Sequence, residues 1–159
     1  MIALDTNILV YAHRAENPFH ALAAARVRDL AESAAPWAIP WPCVHEFLAI
    51  CTNTRIFKTA TPVDVACAQV EAWLSSPSLV LLQEGPGYLN VLSRLLRAQL
   101  VSAARVHDAR IAALALYHSV DVLLTADRDF SRFPGLKVQK RLALGLPLLL
   151  QICGFTIAS

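Results

Sequence analysis

Charge is scarce in this chain of 159 residues, where 14 Lys and Arg stand against 12 Asp and Glu and the four types together make up 16%. Segments that stay disordered combine low hydrophobicity with many charges. Here 56% of residues are hydrophobic and the mean hydropathy is +0.47, so disorder is excluded and a large core is implied. A net charge of +2 and a pI near 8.5 do not by themselves mark a nucleic-acid binder, and any such role has to come from local charge. Cysteine is sparse as well. Cys43, Cys51, Cys67 and Cys153 include no C-x-x-C pair and lack the density of a disulfide framework, which points to buried thiols in a reduced, cytoplasmic protein. Met1-Ile2-Ala3-Leu4-Asp5 has no basic stretch and no small-residue cleavage site, so no signal peptide is expected. Internal repeats and linkers are missing too, and 17.4 kDa is the size of one domain.

What is present is an alternation of short apolar runs with helical spacing. Ile2 to Leu4 reads as a strand halted by Asp5-Thr6-Asn7, residue types that favour turns and helix N-caps, before Ile8-Leu9-Val10-Tyr11 opens a helix. Asn17-Pro18 predicts a second helix with Asn as its cap, carried by Leu22, Ala25, Arg26, Asp29 and Leu30. Trp37-Ala38-Ile39 reads as a strand, followed by a helix on Val44, Phe47, Leu48 and Cys51 that places Glu46 in its first turns. Thr61-Pro62 repeats the cap-then-proline signal ahead of Val63, Ala66, Cys67, Val70, Trp73 and Leu74. Ser78 to Leu82 predicts a buried strand and Gly85-Pro86-Gly87 a turn. Tyr88 to Gln99 predicts a helix with Leu89, Leu92, Leu96 and Leu100 on one stripe. A helix from about His107 to His118 with Ile111, Leu114 and Ala115 inward, the strand Val122-Leu123-Leu124 and an edge strand at Lys137-Val138 complete the pattern. Strands alternating with helices predict an α/β fold whose sheet is mostly parallel, with binding sites beyond the carboxyl ends of the strands.

The segment from Leu142 to Ser159 breaks this pattern. It has no charged side chain, but Gly145, Pro147, Gln151 and Gly154 interrupt it and it is shorter than the ~20 apolar residues of a membrane span. The expected division is a domain over residues 1–140 and an apolar tail over 141–159 that either packs on a partner or neighbour or is foreign to the natural reading frame, with no membrane insertion.

With so few acids, their placement is informative. Asp5 and Asp127 end apolar strands, while Glu46 and Asp108 lie at helix starts, so four carboxylates are expected to meet at one crevice. Each has a plainer reading, because Asp caps helices and acids near a helix N-terminus are stabilised by ~0.3–1 kcal/mol. Their joint occurrence argues for more. Clustered carboxylates repel one another and call for a neutralising cation, and an all-oxygen donor set suits Mg²⁺ or Mn²⁺ better than zinc. Such ions activate water and stabilise both oxygens of a displacement at phosphorus, which implies phosphodiester hydrolysis.

The motifs Leu4-Asp5-Thr6-Asn7, Val44-His45-Glu46-Phe47, His107-Asp108-Ala109-Arg110 and Leu124-Thr125-Ala126-Asp127-Arg128-Asp129-Phe130 resemble those of PIN-domain ribonucleases, above all the VapC toxins of toxin–antitoxin pairs. The resemblance covers roughly Met1 to Lys140, and the tail departs from it. It implies an α/β/α sandwich and a metal-dependent endoribonuclease whose ion is held by Asp5, Glu46, Asp108 and Asp127. Supporting roles fall to Thr6 and Asn7, which orient Asp5, to Asp129, and to Thr125, whose hydroxyl would hold a water or a phosphate oxygen. It also implies an RNA substrate, a VapB-type antitoxin covering an apolar groove between helices, and a homodimer. Among the arginines, Arg128 and Arg132 flank the last acid and are the expected RNA-phosphate contacts.

Two other readings stand beside this one. A catalytically inactive module that binds RNA or an antitoxin would keep the fold without the chemistry. His107-Asp108 also resembles the HD phosphohydrolases, which require His107 as a metal ligand and further histidines that this chain does not clearly supply.

Overall fold

The computed structural model describes residues 1–99 and 105–140. Its strands are β1 (Ile2–Leu4), β2 (Trp37–Pro40), β3 (Leu79–Leu82), β4 (Val122–Leu124) and β5 (Val138–Gln139), in one sheet of order β3-β2-β1-β4-β5. Every pairing is parallel. The central strands β1, β2 and β4 are almost wholly apolar because helices cover both faces of such a sheet. Those helices are α1 (Thr6–His13), α2 (His20–Glu32), α3 (Trp41–Cys51), α4 (Val63–Leu74), α5 (Tyr88–Gln99) and α6 (Val106–Tyr117). Helix α1 packs on α2 and α3, α3 on α4, and α5 on α6, giving the expected α/β/α architecture.

Topology then determines where a site can form. The chain steps outward from β1 to β2 and β3, returns past β1 to β4, and ends on β5, so the loops leaving β1 and β4 diverge at adjacent strands. That divergence opens a crevice at the carboxyl edge of the sheet. Pairing of Ala3 with Ala38 and of Leu4 with Leu124 puts Asp5 level with Pro40 on one side and Thr125 on the other. Three loops therefore begin side by side.

Several local expectations shift once tertiary packing is in place. Asn17 does not cap α2; its side chain accepts from the backbone N–H of Phe19 in a turn, and the helix begins at His20. The inward face of α2 is Ala23, Val27 and Leu30, leaving Leu22 exposed. Thr61 does not cap α4 either, because its hydroxyl accepts from Arg14 Nη1 at 2.8 Å. Strand β3 lies at the sheet edge, with Leu82 buried and Val80 exposed, so it is not the fully buried strand its composition suggests. On α5 the leucine stripe is inward only in part, with Leu92 and Leu96 packed against the core. Tyr88 and Leu95 are buried whereas Leu89 is exposed, because the Tyr88 hydroxyl donates to the Arg110 carbonyl and its ring meets Tyr117 edge-on. Leu100, Cys153 and the tail 141–159 lie outside the described residues.

Candidate active site

Asp5 leaves the end of β1 and becomes the N-cap of α1, its Oδ1 accepting from the Thr6 N–H at 2.7 Å. Capping and clustering are therefore not alternatives here. The same carboxylate lines a cleft of about 290 Å³ together with Glu46 from α3, Asp108 from α6 and Asp127 from the loop after β4. All four acids expected to meet do so, joined by Thr6 and Asn7. Val10, Tyr11, Ile50, Ile111 and Phe130 form the apolar part of the wall.

The hydroxyls and amide around these acids lock the diverging loops together. Thr6 Oγ1 donates to Glu46 Oε2 at 2.6 Å, tying α3 to the start of α1. Asn7 Nδ2 donates to Asp5 Oδ2 at 2.5 Å and to Thr125 Oγ1 at 3.0 Å, while its Oδ1 accepts from the Ala126 N–H at 2.9 Å. Asn7 thus bridges the loops after β1 and β4. Thr125 donates to Asp5 Oδ2 at 2.5 Å and accepts from the Asp127 N–H at 3.0 Å. This hydroxyl is fully buried and its capacity is spent inside the protein, so it positions Asp5 and Asp127 instead of meeting water or phosphate. Asp127 Oδ1 in turn accepts from the Asp129 N–H at 2.8 Å, starting the 3-10 turn Asp129–Arg132. Asp129 stands outside the cleft lining and pairs with Arg132 at 3.3 Å. Arg128 is exposed beside them.

Electrostatics distinguish the acids. Burial pushes the Asp5 carboxyl up to about 6, with Glu46 and Asp127 adding repulsion and the bonds from Thr125 and Thr6 opposing it. Asp108 is raised by burial and then by Asp127, Glu46 and Asp129. Among the described residues none of the four acids is in an ion pair. This donor set fits a hard divalent cation, since it is all oxygen, mutually repulsive and, among the described residues, has no ion-pair partner. Among the described residues no group of three or more His, Cys, Asp or Glu lies close enough together to hold a metal ion as it stands. An open, acid-lined cleft suits an ion that keeps much of its water, as Mg²⁺ does. His107 is exposed, and no histidine lines the cleft, which gives the HD-type arrangement no support.

A stability prediction follows from Asp5. Unfolded, it ionises near its ordinary value of 3.8, and folded near 6, so the folded state holds the extra proton between those values. Stability from this group is complete below pH 3.8 and is lost as pH rises through 6, amounting to about 3 kcal/mol at neutrality without metal. His13, whose pKa burial lowers from 6.5, works in the opposite direction, since its neutral form is favoured in the fold. The Asp5 share is therefore read as the difference between wild type and Asp5→Asn in urea-unfolding free energy at pH 5 and pH 7.5 in EDTA. Wild type should lose stability relative to the variant over that interval, and equal slopes would contradict the prediction.

The PIN domain family model matches residues 2–136. The chain belongs to the PIN-domain family. This PIN domain is 34% identical over 137 residues to Ribonuclease VapC31 of Mycobacterium tuberculosis, covering 86% of this chain and 96% of that protein. Ribonuclease VapC43 of the same organism is 32% identical, with 86% and 92% covered. The PIN domain also shares its fold with VapBC2 from Rickettsia felis bound to a DNA fragment from their promoter. That match has a TM-score of 0.64 at 21% identity, over 87% of this chain and 98% of the other. VapC20 of M. tuberculosis, described as a Sarcin-Ricin loop cleaving toxin, superposes with a TM-score of 0.57 at 16% identity over 82% and 93% of the two chains. No helix among the described residues is long and apolar enough to cross a membrane.

The structure adds one neighbour of Asp5 that the motif reading did not include. Cys43 is fully buried with its Sγ 3.9 Å from Asp5 Oδ1, and both burial and that carboxylate keep its thiol protonated. Its signal in the sequence is the three-residue spacing to Glu46, which puts both on one side of α3.

Proposed function

We propose that residues 1–140 form the endoribonuclease domain of a toxin from a toxin–antitoxin pair, hydrolysing RNA phosphodiester bonds with Mg²⁺ or Mn²⁺ held by Asp5, Glu46, Asp108 and Asp127. The observation that carries this reading is the convergence of four carboxylates, none in an ion pair among the described residues, at the crevice of a PIN domain. The ribonuclease names of the relatives support the substrate class. When bound, the ion neutralises the carboxylates, lowers the pKa of water and stabilises charge developing on the phosphate oxygens.

The chain's own residues supply position. Thr125 and Asn7 hold one oxygen of Asp5 while the Thr6 N–H holds the other, so Asp5 keeps a single rotamer. Thr6 fixes Glu46, and Asn7 with Thr125 fixes the loop bearing Asp127. The proton released by the attacking water passes to Glu46 or Asp108, both partly exposed at the cleft. Arg128 and Arg132 attract the RNA backbone beyond Asp127, with Asp129 restraining Arg132. A VapB-type antitoxin, supported by the VapBC complexes that share this fold, and a homodimer, which the family resemblance implies, complete the proposed cellular state.

Purified, partner-free protein incubated with total cellular RNA should give discrete products with Mg²⁺ or Mn²⁺ and none with EDTA. Intact RNA under every metal condition, with the protein folded, would favour an inactive binding module.

A further inference from the structure

The acid cleft is rich in groups that accept hydrogen bonds and poor in groups that donate them. Its four carboxylates, once ionised, only accept. The Thr6 hydroxyl is committed to Glu46, and the Asn7 amide to Asp5 and Thr125. Val10, Ile50, Ile111 and Phe130 are apolar, and among the described residues no Lys, Arg or His lines the cleft. One side-chain donor is left. Tyr11 lines the cleft, and among the described residues its hydroxyl bonds to nothing in the protein. No unbonded side-chain oxygen or nitrogen there is sealed from solvent, so this hydroxyl opens to water.

Helix α1 directs it. Asn7, Val10 and Tyr11 fall at the i, i+3, i+4 spacing of one helical face, and all three meet the cleft. Tyr11 stands about 9 Å along the axis from Asp5, and a helical side chain tilts back toward the N-terminus, the end that Asp5 caps. Its ring lies 5.6 Å from that of Phe19, with planes 35° from parallel, and its carbonyl accepts from His20 Nδ1 at 3.1 Å.

Chemistry leaves this donor a task. With water as the nucleophile, the ribose 2′-hydroxyl takes no part in bond breaking, so carboxylates and an ion would serve DNA as well as RNA. Discrimination then falls to a group that reads the sugar. The phosphate oxygens are claimed by the ion and by Arg128 and Arg132, whereas a phenol both donates and accepts, as a 2′-hydroxyl does. We propose that the Tyr11 hydroxyl hydrogen-bonds the 2′-hydroxyl of a nucleotide flanking the cleaved phosphodiester, which makes Tyr11 the residue by which this cleft selects ribose over deoxyribose. This rests on the nuclease reading above. Phe19 and His20 act through Tyr11 as positioning residues.

The test uses full-length protein with Mn²⁺ and a short oligoribonucleotide spanning a cleavage site mapped in total RNA. Two further probes carry a single 2′-deoxy sugar, one on each side of the cleaved bond. In the unmutated protein one of them should lower kcat/KM by about 2- to 12-fold, the factor for one hydrogen bond between uncharged groups. Tyr11→Phe should lower kcat/KM on the all-ribose probe by a similar factor, and the deoxy penalty should shrink by that factor in the variant, because both changes remove the same bond. Its salt dependence should stay that of the unmutated protein, since no charge is lost. A deoxy penalty of unchanged size in Tyr11→Phe would overturn the proposal, because altered sugar pucker or a Tyr11 bond to phosphate gives that result. So would a Tyr11→Phe protein that cleaves the all-ribose probe at the full rate. Should Tyr11→Phe fail to fold, the absence of any deoxy penalty in the unmutated protein overturns the proposal by itself. Metal-dependent cleavage of the all-ribose probe alongside any of these results would leave the nuclease reading standing; no cleavage of total RNA under any metal condition would remove both.

Discussion

Asp5→Asn is expected to lower metal-dependent RNA cleavage by at least about 10²-fold, the loss typical when one group that stabilises transition-state charge is removed. The variant should fold. Its two effects on the metal-free protein oppose each other, because an amide relieves the buried charge but fills only one of the two acceptor positions. Asp5 Oδ1 takes the Thr6 N–H, while Oδ2 takes both the Thr125 hydroxyl and the Asn7 amide. Either orientation of the new amide turns its NH₂ toward a donor. The separating measurement is thermal denaturation with and without Mn²⁺ at pH 7.5. An ion that binds only the folded state raises Tm in proportion to RT ln(1 + [L]/Kd), so wild type should gain stability with Mn²⁺ and the variant should gain far less. Cleavage and metal stabilisation that both survive in Asp5→Asn would remove this carboxylate from the site.

Phe47→Ala is expected to destabilise the fold by about 3–5 kcal/mol, which is a large part of the 5–15 kcal/mol available to a typical domain. Phe47 is fully buried, with its ring 4.8 Å from that of Trp73 on α4 and 5.3 Å from that of His13 on α1, both edge-on. Truncation opens a cavity where three helices meet, and the residue before it is Glu46. Urea unfolding measures the loss, and Phe47→Leu, which keeps most of the volume, should recover much of it. A loss below about 1 kcal/mol in Phe47→Ala would mean that this junction is not tightly packed.

The acids were legible because each stands where a short apolar run ends or a helix begins, a position that chain-local rules recognise. The strand at Ile2–Leu4 stops at a residue that is both a helix cap and a carboxylate, and α3, α4 and α6 run where apolar spacing places them. Helix faces were less legible. Leu22 and Leu89 fit a leucine stripe yet face solvent, since the inward direction is set by the neighbour a helix meets and not by the helix alone. Thr61 and Asn17 likewise carry cap chemistry that Arg14 and a local turn claim first.

By itself the sequence determined the alternation of strands and helices, the family to which the chain belongs, and which carboxylates are available. These depend on periodicity and on residue type, both written along the chain. Only the tertiary structure decided that β1 and β4 lie side by side with their loops diverging, that Asn7 and Thr125 bridge those loops, and that Asp5 is buried enough to hold its proton to about 6. Those outcomes depend on residues more than a hundred positions apart sharing one low-dielectric pocket, and no local pattern encodes that distance.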